Sequence, residues 1–146
     1  FTQVQRAWNR ALARAIAAAA TDWEVTLPQD FRAEGRFNDA RHYPALFRRC
    51  IEALGACNVV LAVLDGADVD SGTAFEVGYA RAMDKIIVGL RTDYRPGADH
   101  GVNLMCARGC NSRMRAFPYK ENPKTVAEAV VRRLCSIARQ RTADAE

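Results

Sequence analysis

Two carboxylates, Asp70 and Glu76, lie in the stretch Asp65–Ala80, DGADVDSGTAFEVGYA. Asp70 falls in a turn punctuated by Gly66 and Gly72, and Glu76 sits about one turn inside the helix that the pattern predicts next. An ionised carboxylate in such a place can act as a nucleophile. Two nearby carboxylates in different environments can divide the roles of nucleophile and proton donor or acceptor. A helix N-terminus favours negative charge by roughly 0.3–1 kcal/mol when exposed. Gly72 permits a tight turn and close approach of a ligand. The same residues also support a purely structural reading. Asp70 is a good N-cap, Thr73 completes the first turn, and Glu76 is then a solvated helical glutamate. Asp65 and Asp68 read as solvated loop carboxylates, and Gly78 as room for close packing against the sheet or another chain.

The elements around this stretch decide where it can sit. Asn58–Leu64 is an unbroken apolar run that reads as a buried strand, and Lys85–Leu90 is a second. Helices are expected from Thr2 to about Ala19, from Pro44 to about Leu54, from Ser71 or Gly72 to about Asp84, and from Pro123 to about Arg139. The alternation in Trp23–Leu27 predicts a short strand, and Arg113–Phe117 an edge strand. Gln29–Ala40 and Thr92–Gly101 read as loops, and Asn103–Met105 as the start of a short helical turn. Apolar strands alternating with helices mean a parallel sheet covered on both faces. In such α/β sheets ligands bind at the carboxyl ends of strands, where Asp65–Ala80 lies. One domain is expected over 1–141, with a frayed tail at 142–146. The chain opens on a helix at Phe1, whereas a doubly wound domain opens on a strand, so a further strand is expected upstream in the complete gene product.

Composition narrows the class. Of 146 residues, 49% are hydrophobic and 26% charged, which is globular rather than disordered. The net charge of +4 is spread over several helices, with no basic run interleaved with aromatics, so no nucleic-acid polymer is expected as a partner. No apolar run approaches the roughly 20 residues that span a bilayer. Arg6, Arg10 and Arg14 interrupt any signal-peptide core. Five scattered cysteines, Cys50, Cys57, Cys106, Cys110 and Cys135, suit reduced thiols in the cytoplasm. Cys106 and Cys110 with His100 lack the pairing and fourth ligand of a zinc site.

At DSGTAFEVGYA, preceded by VVLAVLDG, the chain resembles the nucleoside 2-deoxyribosyltransferases. Phe1–Asn9 is similar to the family's opening helix segment, Leu27–Asp30 to the loop after its second strand, and Val102–Met105 to its Asn-Leu-Met segment. The resemblance covers about Phe1 to Phe117. It implies a flavodoxin-like doubly wound domain that assembles as dimers or larger homo-oligomers and needs no metal or organic cofactor. It implies that Glu76 attacks C1′ of a 2′-deoxynucleoside and that Asp70 handles the proton or orients the base. A deoxyribosyl ester on Glu76 would then pass to a free nucleobase. Asn103 would contact the sugar 5′-hydroxyl in a neighbouring subunit's site, with Ser71, Gly72, Thr73 and Asp30 as further substrate-binding candidates. The family's first strand, whose tyrosine holds the nucleophile, would lie before Phe1. Many relatives carry acidic residues where Cys50 and Asn58 stand. Cys50 reads as a packed thiol, and Asn58 as a structural cap or turn contact. Two other functions remain in view. One is hydrolysis of nucleoside 5′-monophosphates, with Ser71 and Thr73 beside the phosphate. The other is non-catalytic nucleotide sensing.

Overall fold

Thr2 opens the first helix with a reciprocal capping box, its Oγ1 accepting from Gln5 N at 3.2 Å while Gln5 Oε1 accepts from Thr2 N at 2.7 Å. This is a computed structural model describing residues 2–31, 40–93, 102–118 and 120–144. The first helix, α1, spans Gln3–Ala19; α2 spans Tyr43–Ala56, β1 Val59–Val63, α3 Ser71–Ala82 and β2 Ile86–Arg91. They are followed by α4 at Leu104–Gly109, β3 at Ser112–Arg115 and α5 at Pro123–Ala143. Asn122 caps α5 through Thr125 N at 3.0 Å, and Pro123 occupies the first helical turn, where a missing N–H costs nothing. Asp84, at φ 52, takes the left-handed conformation just past α3 and stops it.

The strands form one parallel sheet in the order β1–β2–β3, an α/β fold of flavodoxin-like type. Side chains alternate between its faces, as period two requires. Ile86, Val88 and Leu90 join Leu12 and Ile16 of α1 and Val126, Val130 and Leu134 of α5 in the larger core. Ala62 and Leu64 point the other way, into a core with Val77 of α3 and Cys106 and Ala107 of α4. Val88 and Leu90 are fully buried, each worth roughly 1.5–3 kcal/mol in removed apolar surface.

Three expectations meet a different outcome. Trp23–Leu27 forms no strand. Trp23 and Val25 pack toward the α1/α5 core as the alternation predicts, yet the segment pairs with no described strand. A cleft of about 420 Å³ separates it from β1. Alternation reports which side chains are buried; it does not supply a neighbour for the ladder. The ladder bonds Ile86 N to Asn58 O and Leu64 N to Leu90 O show that the even residues of β1 face β2. The backbone groups of Val59, Leu61 and Val63 therefore face the cleft. The last helix runs through Ala143, past the expected fraying point, because Arg141 binds the Asp84 carbonyl at 2.7 Å and carboxylate at 3.0 Å. Finally, Asp65 is no solvated loop carboxylate. It accepts from Thr92 N at 2.6 Å, Asp93 N at 3.3 Å and the Thr92 hydroxyl, tying the end of β1 to the end of β2. Most of the Gln29–Ala40 and Thr92–Gly101 segments, with His100, lies outside the described residues.

Candidate active site

β1 ends at Val63, and the chain must turn sharply to enter α3. Gly66 makes this turn at φ 114, where a side chain would strike the Asp68 carbonyl. Its N–H donates to Asp93 Oδ2 at 2.9 Å, and its carbonyl accepts from Arg91 Nη2 at 3.0 Å. Arg91 is buried and also donates to the Leu64 carbonyl at 3.3 Å, with Asp93 Oδ1 2.7 Å from its Nε. The turn is thus fixed from below by a paired guanidinium.

Asp70 caps α3, as one of the two readings held. Its Oδ2 accepts from Gly72 N at 3.1 Å and Thr73 N at 3.3 Å, satisfying two orphan donors of the first turn. A side chain at position 72 would press on that same oxygen at 3.1 Å. Asp70 Oδ1 has no hydrogen-bond partner among the described residues. Glu76, one turn further, is half-buried and lines the cleft with Asp70, Gly72 and Thr73. Among the described residues it makes no hydrogen bond or ion pair. Burial raises its pKa above the ordinary 4.5, and the Asp70 charge raises it further. A half-buried carboxylate with no counter-charge is costly as a structural element, and perturbed acids of this kind collect at functional sites. The solvated-glutamate reading of Glu76 is therefore at odds with the geometry.

Cys50 of α2 lines the cleft beside Glu76. Burial pushes its thiol up, Glu76 adds to this and Arg49 opposes it, so the sulfur stays protonated at neutral pH. Asn58 is exposed and gives its carbonyl to Ile86 N at 3.4 Å, a contact at the strand start. Gly78 is exposed, and a Cβ there would meet nothing within 4 Å, so the sheet does not need its small size. Three candidates stand apart from the cleft lining. Asp30 is held by Arg10 at 2.7 Å on the surface, Ser71 is exposed at the start of α3, and Asn103 caps α4 through Met105 N at 2.9 Å. Two cleft residues had no role in the sequence reading: Asn9 of α1, buried, and Gln29 of the 28–30 turn. A polar residue on an otherwise apolar helix face was the available signal for Asn9. Among the described residues no group of three or more His, Cys, Asp or Glu is placed to hold a metal ion. No helix among them is long and apolar enough to cross a membrane.

A parallel α/β sheet with a carboxylate-bearing cleft at the carboxyl end of β1 defines a class of small-molecule site. The chain belongs to the nucleoside 2-deoxyribosyltransferase family, whose model matches residues 1–105, including Asp70 and Glu76. No curated protein matches the chain. Among solved structures, a conserved protein from Enterococcus faecalis V583 is similar at 22% identity and TM-score 0.69, over 91% of this chain and 92% of that one. At that identity the likeness speaks for the fold.

Proposed function

We propose that this protein transfers 2-deoxyribose between nucleobases, with Glu76 as the nucleophile. The observation that carries the proposal is the Glu76 carboxylate, half-buried and unpaired among the described residues, beside Asp70 in the cleft of a family-matched segment. The Glu76 carboxylate attacks C1′ of a 2′-deoxynucleoside, and the C1′–N bond breaks. The departing base keeps that electron pair and takes up a proton, with the Asp70 Oδ1 left by the cap as the neighbouring group. The sugar is then an ester on Glu76. A ring nitrogen of a second base attacks C1′ and releases its N–H proton through the same Asp70 Oδ1, replacing the one taken by the first base; the ester bond breaks, and Glu76 is regenerated. Two inversions give net retention, as in retaining glycosidases. The missing 2′-hydroxyl withdraws no electrons from the oxocarbenium-like transition state, which makes 2′-deoxynucleosides the easier substrates. Asn103, outside the cleft lining, would serve a neighbouring subunit's site in a homo-oligomer. Asp30 and Ser71 would meet substrate only at the rim.

The test is incubation with deoxyadenosine or deoxyinosine, with and without a second free base. A new nucleoside is the expected product. Free base alone would point to hydrolysis, and binding without turnover to a sensor. Glu76→Ala should lower transfer by about 10³-fold or more, as loss of a nucleophile does elsewhere, with far-UV circular dichroism unchanged. Retained activity would remove Glu76 from the role.

A further inference from the structure

Asn9 and Gln29 line the same cleft as Glu76 and Asp70 but come from α1 and from the 28–30 turn. Their hydrogen bonds form a chain with a fixed polarity. Gln29 Nε2 donates to the Arg6 carbonyl at 2.9 Å. A backbone carbonyl can only accept, so the Gln29 amide has one permitted orientation, with Oε1 turned toward Asn9. That oxygen in turn accepts from Asn9 Nδ2 at 3.2 Å. Asn9 therefore cannot flip without setting two oxygens against each other. Its side-chain oxygen is left over. Asn9 is only 8% exposed, and Oδ1 has no partner among the described residues. That oxygen is not among the fully buried unpartnered polar atoms of the described residues, so it reaches the solvent of the cleft and is open to a donor that enters it.

We infer that Asn9 Oδ1 is a fixed acceptor that reads the nucleobase, selecting bases with an exocyclic amino group over those with an oxo group in its place. This rests on the deoxyribosyl-transfer reading of the cleft. Adenine and cytosine present an amino donor to such an oxygen. Hypoxanthine and uracil present a second lone pair there instead. A site built to accept a hydrogen bond discriminates strongly against a ligand that cannot donate one. Asn9 is then a specificity residue, and Gln29 a positioning residue that acts through it.

Deoxyadenosine and deoxyinosine differ at the one position that matters, so the measurement is the ratio of their kcat/KM values with a common acceptor base. The wild-type ratio should favour deoxyadenosine by about 10- to 100-fold, the range of one good polar base contact. Asn9→Leu should bring the ratio close to one. Gln29→Leu should do the same although Asn9 is intact, because the released amide is then free to turn. Both substrates are processed by the same folded molecules, so the ratio is unaffected by any loss of stability in the variants. A wild-type ratio near one, or a wild-type ratio retained in Gln29→Leu, overturns the inference. Turnover of neither nucleoside overturns the transferase reading instead, and free bases then test the amide chain directly. Adenine should raise Tm more than hypoxanthine does, and Asn9→Leu should erase the difference. Equal shifts in the wild type overturn the inference.

Discussion

Glu76 is poised between two requirements. The proposed transfer needs it ionised to attack C1′, and its surroundings resist ionisation. Burial is the larger cause and the Asp70 charge the smaller, both raising its pKa above 4.5. The acidic limb of kcat/KM should therefore lie above pH 4.5. Asp70→Asn removes the like charge and should move that limb to lower pH, while the asparagine oxygen still caps α3. An unmoved limb in a pH–rate profile would mean that Asp70 does not act on Glu76. The stability consequence has the opposite sense to that of an ordinary salt-bridged acid. A group whose folded pKa is raised contributes stability below its unfolded pKa and loses that contribution as pH rises through the folded value. Glu76→Gln should therefore raise Tm relative to wild type at pH 7, and the advantage should vanish toward pH 4. Thermal melts across that range check the sign. The spacing of Asp70 and Glu76 was legible in the sequence. The burial of Glu76 was not, because it depends on α2 closing over one side of the cleft through Cys50, Ala53 and Leu54, far away in the chain.

At the scale of elements, the helices were legible to within a few residues because their ends carry their own chemistry: Thr2 with Gln5, Asp70 with Gly72, and Asn122 with Pro123. The two buried strands were legible as apolar runs too short for buried helices between turn residues. Trp23–Leu27 was misread because hydrogen-bond partners come from elsewhere in the chain. Asp65 was misread for a related reason: its donors, Thr92 and Asp93, lie at the end of β2. That contact makes Asp65 a brace between the two strand ends beside the candidate site. Asp65→Ala leaves two backbone N–H groups without their acceptor and should cost about 1–3 kcal/mol. Urea unfolding should show a lower midpoint with an unchanged m value. A loss within error would mean that water replaces the carboxylate at no cost.

The whole molecule is asymmetric about β1. One edge of this strand is in the ladder with β2, and the other faces the cleft. All five residues of β1 are apolar, yet four of them are only partly buried, whereas β2 is buried throughout. Among the described residues the outward N–H and C=O groups of Val59, Leu61 and Val63 have no backbone partner. In this 146-residue chain, native-state hydrogen exchange should split β1 by parity. The amides of Val60, Ala62 and Leu64 should be protected to near the global limit, and those of Val59, Leu61 and Val63 should exchange at least ~10-fold faster. Equal protection along β1 would place a hydrogen-bonding partner on the outer edge.

An open edge of this kind is also a template. Strand edges in soluble proteins are commonly guarded by a lysine, a proline or a bulge, and VVLAV carries no lysine or proline. The run combines high β-propensity with no charge, the composition from which steric zippers are built. Among the described residues no strand covers this edge, so it is the place in the sheet where one further strand could pair. A β-forming peptide offered in solution should therefore bind along Val59–Val63 and slow exchange of the Val59, Leu61 and Val63 amides, turning the bare edge into a measure of strand pairing beside the candidate site.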